Sequence, residues 1–421
     1  MSATKVMMMM KTRNNEEQMK KRLKVIEPTK FEKDFSQPMA VPESGIAAAI
    51  QVMKSGRLFR YCAIESQVSM LEKEFAEFTQ RKYCVAVNSC SSAIMLSLLA
   101  AGIQPGDKVA TNGFTFTALP STIMRLNAIP ILVESCQDWT MNLDDLQTKL
   151  NLHKDIKIVL VSHMRGRVCD MDRLVEICAE RILLEDCAHG CGVKWNNRQL
   201  GYHGVLASYS TQSDKVINSG EGGLLVTDDA QIAAQLIYMS GAYERRYQKH
   251  LTRPDDILCE EAMLKYPNLS CRMSELTAAV ARPLLANLPS RVITYNARYD
   301  LICSIATKNN VLKVPGHDYR CAPVGDHFNF YLSSNLTEAQ NQKFKAICHQ
   351  FGVPVSSFIS PINARYHKNW RKFGAPHFDL PQTDHILRYS YDLKLPPIFT
   401  SSDIEHIANI LDYAASNCLS F

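Results

Sequence analysis

The sequence predicts an α/β fold, with a large domain built on a mostly parallel central sheet and a smaller C-terminal α+β domain. Three observations carry this. Between residues 66 and 230, short apolar runs alternate with helical stretches, the βαβ rhythm of a parallel sheet. The strand-like runs are apolar almost throughout, as strands covered on both faces are. After residue 200 the rhythm changes, and a chain of 421 residues has room for more than one domain.

The elements follow in order. "SQVSMLEKEFAEFTQ" places Val68, Leu71, Phe75 and Phe78 at helical spacing. "YCVAVNS" reads as a strand ending at Val87, and "SSAIMLSLLAAGI" as a helix starting near Ser92 and stopped by Gly102. "KVATN", "IPILVES", "IKIVLVSH" and "RILLEDCA" read as buried strands, with "MDRLVEICAE" a helix between the last two. "VLASYS" and "GGLLVTDD" are strands separated by a turn-rich segment. Residues 230–240 and 273–307 read as helices, with Pro283 expected to break or kink the second stretch. "DHFNFYLSS" is a strand, "TEAQNQKFKAICHQFG" a helix, and "SSDIEHIANILDYAAS" a capped terminal helix. The expected organisation is a polar arm over 1–35, a large domain over 36–284 and a small domain over 285–421.

Composition narrows the function. Hydrophobic residues make up 46% and charged residues 21%, a globular profile. A net charge of +5, spread along the chain, is too mild for a nucleic-acid binder. No stretch approaches the about 18 consecutive apolar residues of a membrane span. The first residues hold only five consecutive apolar positions (Val6 to Met10) and no small-residue cleavage site, unlike a secretory signal. An organelle transit peptide stays open, although Glu16 and Glu17 argue against it. Fourteen cysteines without an export signal, many in apolar runs, read as free buried thiols in a reducing, cytoplasmic setting.

Three stretches carry chemistry. "NSCSSAIML" joins a strand to a helix through small hydroxyl residues, which suits either a phosphate on the helix amides or an ordinary serine cap. "STQSDKVINSGEGG" holds Lys215 between a strand end and a glycine-rich turn. That lysine is either exposed or a buried amine fit for a Schiff base. "LLEDCAHGCG" ends a strand on Glu185 and Asp186, which alternation sends to opposite faces, so they are not a dyad. Its C-x3-C spacing around His189 matches neither a zinc site nor a redox pair, and no metal is expected. One ligand needs an anion cradle, a carboxylate at a strand end and an amine: pyridoxal 5'-phosphate.

These stretches, with "VSHMRGRVCDMDRL" and "SCRMSELTAAV", resemble the DegT/DnrJ/StrS family of pyridoxal phosphate-dependent sugar aminotransferases. The resemblance implies a type I aminotransferase fold and a homodimer with shared active sites. It implies Lys215 as the Schiff-base and proton-shuttling residue and Asp186 as partner of the pyridinium nitrogen. Ser91, Ser92 and Ser210 would hold the phosphate, Phe116 would stack on the ring, and His189 would stand near the ring oxygen. It implies transfer from an amino-acid donor, glutamate or glutamine, to a keto group of a sugar, nucleotide sugar, cyclitol or related metabolite. A retained lysine favours this over the dehydratases of the family, which carry histidine there, and over a non-catalytic homologue. The chain departs from the family at Gly113, Arg165, Asn218 and Ser270. Among the cations Arg57, Arg60, Arg165, Arg167, Arg245 and Arg246, we expect Arg60, Arg165 and Arg245, with Asn218, to face substrate; solvated surface is the competing reading.

Overall fold

The computed structural model describes residues 27–308, 310–333 and 336–419. Most of the expected arm lies outside these residues. Its described end is no free arm: Phe31 is buried, and Phe31 and Phe35 pack edge-on against Phe399 at 5.2 and 5.0 Å between ring centroids. Two aromatic residues among polar neighbours were too sparse a pattern to reveal this docking.

The central sheet has seven strands: β1 (Tyr83–Val87), β2 (Lys108–Asn112), β3 (Ile129–Val133), β4 (Ile158–Ser162), β5 (Ile182–Asp186), β6 (Leu206–Ser210) and β7 (Gly223–Thr227). Their spatial order is β1-β7-β6-β5-β4-β2-β3. Only β7 runs against its neighbours. The continuous apolar runs have a physical cause visible here. Alternate residues of β4 enter opposite cores, Val159 and Val161 on one side and Ile158 and Leu160 on the other.

The helix after β1 spans Cys90–Ala100, starting two residues before the expected position, because Ser89 caps it by accepting the Ser92 amide. Gly223 allows this helix to sit against β7, since a Cβ there would lie 2.4 Å from the Ser89 carbonyl oxygen. Pro283 does not break its helix. Glu275–Ala286 continues through it, and the turn comes at Asn287, one turn later. The proline lacks only its own bond back to the Ala279 carbonyl, and the helix ends three residues beyond it.

That turn is also a change of partner. Glu275–Ala286 packs on the helices Glu43–Ser55 and Gln67–Thr79, whereas Leu288–Ala306 packs on Ser401–Asn417. A second, antiparallel sheet follows, formed by β8 (Leu312–Lys313), β9 (His327–Leu332), β10 (Ser356–Ser357) and β11 (Ser390–Lys394), in the order β8-β9-β11-β10. Its core is separate and holds Phe328, Phe330, Phe344 and Tyr391.

The two domains are locked together beside the carboxyl ends of the large sheet. Glu134, just after β3, accepts the amides of Gln382 and Thr383 at 3.2 and 2.7 Å, capping the helix Pro381–Arg388. Trp139 donates to Ser390 at 2.8 Å. Phe114 and Tyr366 form an isolated antiparallel bridge.

Candidate active site

A cavity of about 490 Å³ opens where the carboxyl ends of β1, β4, β5 and β6 meet the small domain. The large domain contributes Ser89, Cys90 and Ser91 from the start of the Cys90–Ala100 helix, and Phe116 after β2. Arg165 follows β4, Asp186 and His189 follow from β5, and Ser210 and Lys215 from β6.

Asp186 is the last residue of β5, opposite Ser162 of β4 and Ser208 of β6. One carboxylate oxygen accepts from the Ser162 hydroxyl at 2.8 Å, the other from the Ala188 amide at 3.0 Å. Burial pushes its pKa up, so a cation opposite it would be favoured. Lys215 stands on the turn after β6, its amide bonded to the Gln212 carbonyl at 2.9 Å. Its amine donates to His189 Nε2 at 3.0 Å. Burial, aided by Arg165, brings the amine's pKa down to about 8. Burial and then Lys215 hold His189 well below the usual imidazole value, which keeps it neutral and able to accept that bond.

Glu185 points to the other face. It accepts from His163 Nε2 at 3.1 Å and from the amides of Gly201 and Gly204 at 3.1 and 2.5 Å. Burial alone would raise its pKa, but these partners hold it down to about 2. Gly204 approaches closely because a Cβ there would meet the Leu183 carbonyl at 2.8 Å. Cys187 and Cys191 are buried fillers of the same core, and all fourteen cysteines are free thiols.

Four expected residues stand elsewhere. Ser92 is turned to Asn88, bonding its Oδ1 at 2.7 Å, because the helix begins earlier and places Ser89 and Ser91 at the mouth. Arg60 is wholly buried, bonded to Glu72 at 2.6 Å and to His250 at 3.1 Å, so it cannot meet a substrate. Arg245 is exposed, 4.0 Å from Glu260, and does not line this cavity. Asn218 bonds the Gly220 amide at 3.0 Å and shapes the turn without lining this cavity. Arg57 is exposed, Arg246 lies over the Tyr243 ring, and Arg167 is held by the Pro315 carbonyl at 2.9 Å. Arg165 does reach the cavity, in a left-handed turn (φ 57°), but Asp392 and His327 engage its guanidinium.

The small-domain wall was absent from the sequence reading. His327, Arg365, Asp392 and Lys394 all line the cavity. His327 faces Lys394, and Asn329 faces Asp392, across β9 and β11. The signal was present as polar residues alternating with apolar ones in "DHFNFYLSS" and "SYDLK".

A family model describing the DegT/DnrJ/EryC1/StrS aminotransferase family matches residues 41–412. The chain belongs to this family. It is 31% identical to the L-glutamine:2-deoxy-scyllo-inosose aminotransferase of Streptomyces kanamyceticus, over 77% of this chain and 77% of that protein. It is 33% identical to the spore coat polysaccharide biosynthesis protein SpsC of Bacillus subtilis, over 49% of this chain and 52% of that protein. Among solved structures, an aminotransferase from Psychrobacter cryohalolentis superposes with a TM-score of 0.80 at 21% identity, covering 91% of this chain and 99% of that one. The chain is thus a pyridoxal phosphate-dependent aminotransferase with the fold expected of it. The residues present fit that cofactor: an amine of lowered pKa, a buried carboxylate short of a cation, and a hydroxyl-lined helix start share one cavity. No helix among the described residues is long and apolar enough to cross a membrane.

Proposed function

We propose that this enzyme moves an amino group from glutamine or glutamate to a carbonyl carbon of a sugar or cyclitol. The observation that carries the reading is the convergence of Lys215, His189 and Asp186 in one cavity beside the Ser89–Ser91 helix start. The acceptor class is supported by the reactions named for its relatives, the S. kanamyceticus enzyme above and the L-glutamine:scyllo-inosose aminotransferase of Streptomyces griseus.

In this reading Ser91, Ser210 and the free amides of the Cys90–Ala100 helix hold the phosphate. Phe116, which lines the cavity, would lie against the ring. Pyridoxal phosphate supplies an electron-withdrawing ring that stabilises negative charge at the substrate carbon. Asp186 would pair with the ring nitrogen and favour positive charge there, the more so in the low-dielectric floor of the cavity. Lys215 would hold the cofactor through its amine and would be the group that carries a proton from and back to the substrate. An amine with a pKa of about 8 is well matched to both steps near neutral pH. His189, kept neutral, would orient the Lys215 amine through their 3.0 Å hydrogen bond.

We also assign a homodimer. The exposed large apolar side chains Ile46, Ile50, Met53, Leu58, Phe59 and Ile64, close together in sequence, support it as surface that a second copy would cover. Fourteen free thiols suit the cytoplasm.

Borohydride reduction followed by peptide mapping tests the site. The cofactor is expected on Lys215, and the visible band near about 400 nm should bleach with glutamine and return with scyllo-inosose. Labelling of another lysine, or a band that no amino acid bleaches, would overturn the reading.

A further inference from the structure

The cavity holds four cationic side chains, and three of them are already committed. Lys215 serves the cofactor. Lys394 pairs with Asp214 at 2.8 Å. Arg165 is engaged by Asp392 and by His327. The fourth, Arg365, is different. Among the described residues its guanidinium makes no ion pair and no hydrogen bond, while its Nε is buried without a partner as that of Arg165 also is. Burial and then the nearby Arg165 bring its pKa down to about 10, with Asp392 and Asp214 opposing from a distance.

The loop that carries Arg365 is firmly built. Asn363 donates to the Ser357 carbonyl at 3.1 Å, and Asn369 to the Ser360 and Asn363 carbonyls at 2.9 Å each. Trp370 donates to the Ala364 carbonyl at 2.9 Å. Tyr366 bridges to Phe114, whose ring packs on Phe358 at 4.7 Å. The guanidinium carbon stands over the Phe116 ring, 5.9 Å from its centroid. A half-buried guanidinium without an ion pair is open to an arriving anion.

We propose that Arg365 is a specificity-determining residue that receives the α-carboxylate of the amino donor. This rests on the aminotransferase reading of the cavity. The first half of any such transfer brings in an amino acid, whose carboxylate is charged at every working pH. A sugar or cyclitol ketone need not carry any charge. The planar fork of arginine makes two parallel hydrogen bonds to a carboxylate, a match that lysine cannot reproduce. Asp392 has a second effect here, since by neutralising Arg165 it leaves Arg365 as the cation that selects.

Holoenzyme carrying Arg365→Gln or Arg365→Lys tests this by donor-driven bleaching of the visible band. Two probes are used, glutamine and 4-aminobutanamide, which is glutamine without its α-carboxylate. Arg365→Gln should weaken glutamine by about 100-fold, the scale of a lost charged hydrogen-bond pair. It should leave 4-aminobutanamide within about twofold, and cofactor affinity unchanged. Arg365→Lys, which keeps the charge and not the fork, should lose about tenfold. Equal weakening of both amines, an unmoved glutamine affinity, or loss of cofactor affinity would overturn the assignment. So would a defect confined to the return reaction with a phosphorylated ketose, which would make Arg365 an acceptor residue. A wild-type enzyme without any visible band would overturn the aminotransferase reading itself. A wild-type band with no change in the variants would overturn Arg365 alone.

Discussion

Glu185 and Asp186 are neighbours at the end of β5, both buried carboxylates, yet their surroundings push them in opposite directions. Glu185 faces a core where His163 and two glycine amides saturate it, and its pKa falls to about 2. Asp186 faces the cavity with a hydroxyl and one amide, and burial raises its pKa. The same side-chain chemistry thus holds the fold together on one face of the sheet. On the other it faces the cavity, held by one hydroxyl and one amide and with no cation in hydrogen-bond reach among the described residues. A one-residue alternation in a strand makes that division.

The strongest way to break the comparison lies on the ligand face. Lys215→Ala should lower transamination by on the order of 10⁵-fold, the scale seen when a covalent residue is removed, while apoenzyme stability holds. Next comes Asp186→Asn, with an expected rate loss of about 10³-fold, as for removal of a preorganised electrostatic group. Its apoenzyme should melt no lower than wild type, because a carboxylate whose pKa is raised by folding opposes folding when charged. A melting temperature well below wild type would contradict the division of roles.

On the fold face, Glu185→Gln should destabilise the protein by about 3 kcal/mol, as breaking a buried pair does, with kcat of the folded fraction within a few-fold of wild type. Denaturant titration and active-site-normalised kinetics measure the two together. The pH dependence has a defined sign. The folded pKa of Glu185 is depressed from 4.5, so its contribution is present above about pH 4.5 and fades as pH falls toward 2. Acid unfolding of Glu185→Gln should show a shallower slope through that window.

The smallest effect concerns Lys215 in the apoenzyme. Only the neutral amine attacks the cofactor aldehyde, so capture should quicken with rising pH and level off above about 8, as its lowered pKa implies. A rise continuing to the 10.5 of an ordinary lysine would place the amine in solvent. Stopped-flow absorbance of apoenzyme mixed with cofactor reads this directly.

How much of this was legible in the sequence follows the same line between local and distant structure. β4 and β5 were readable because burial on both faces leaves an uninterrupted apolar run. Asp186, Lys215 and the serine-rich helix start were readable because each sits at a strand end within its own short segment. Arg60 was misread as a substrate residue, since its environment is made by a helix twelve residues on. Glu72 held the clue, standing four residues after Val68 on that helix's apolar face, where a charge needs a buried partner. Arg365 had no such clue. It reaches the cavity only because the small domain docks through Glu134, Trp139 and the Phe114–Tyr366 bridge.

The protonation state of the cofactor's ring nitrogen tests the division between the two carboxylates most directly. Nitrogen-15 NMR of enzyme loaded with ring-labelled pyridoxal phosphate should find that nitrogen protonated at neutral pH in the wild type and in Glu185→Gln. The proton should be lost in Asp186→Asn. A nitrogen that stays protonated without the Asp186 carboxylate, or loses its proton when Glu185 is neutralised, would contradict the account.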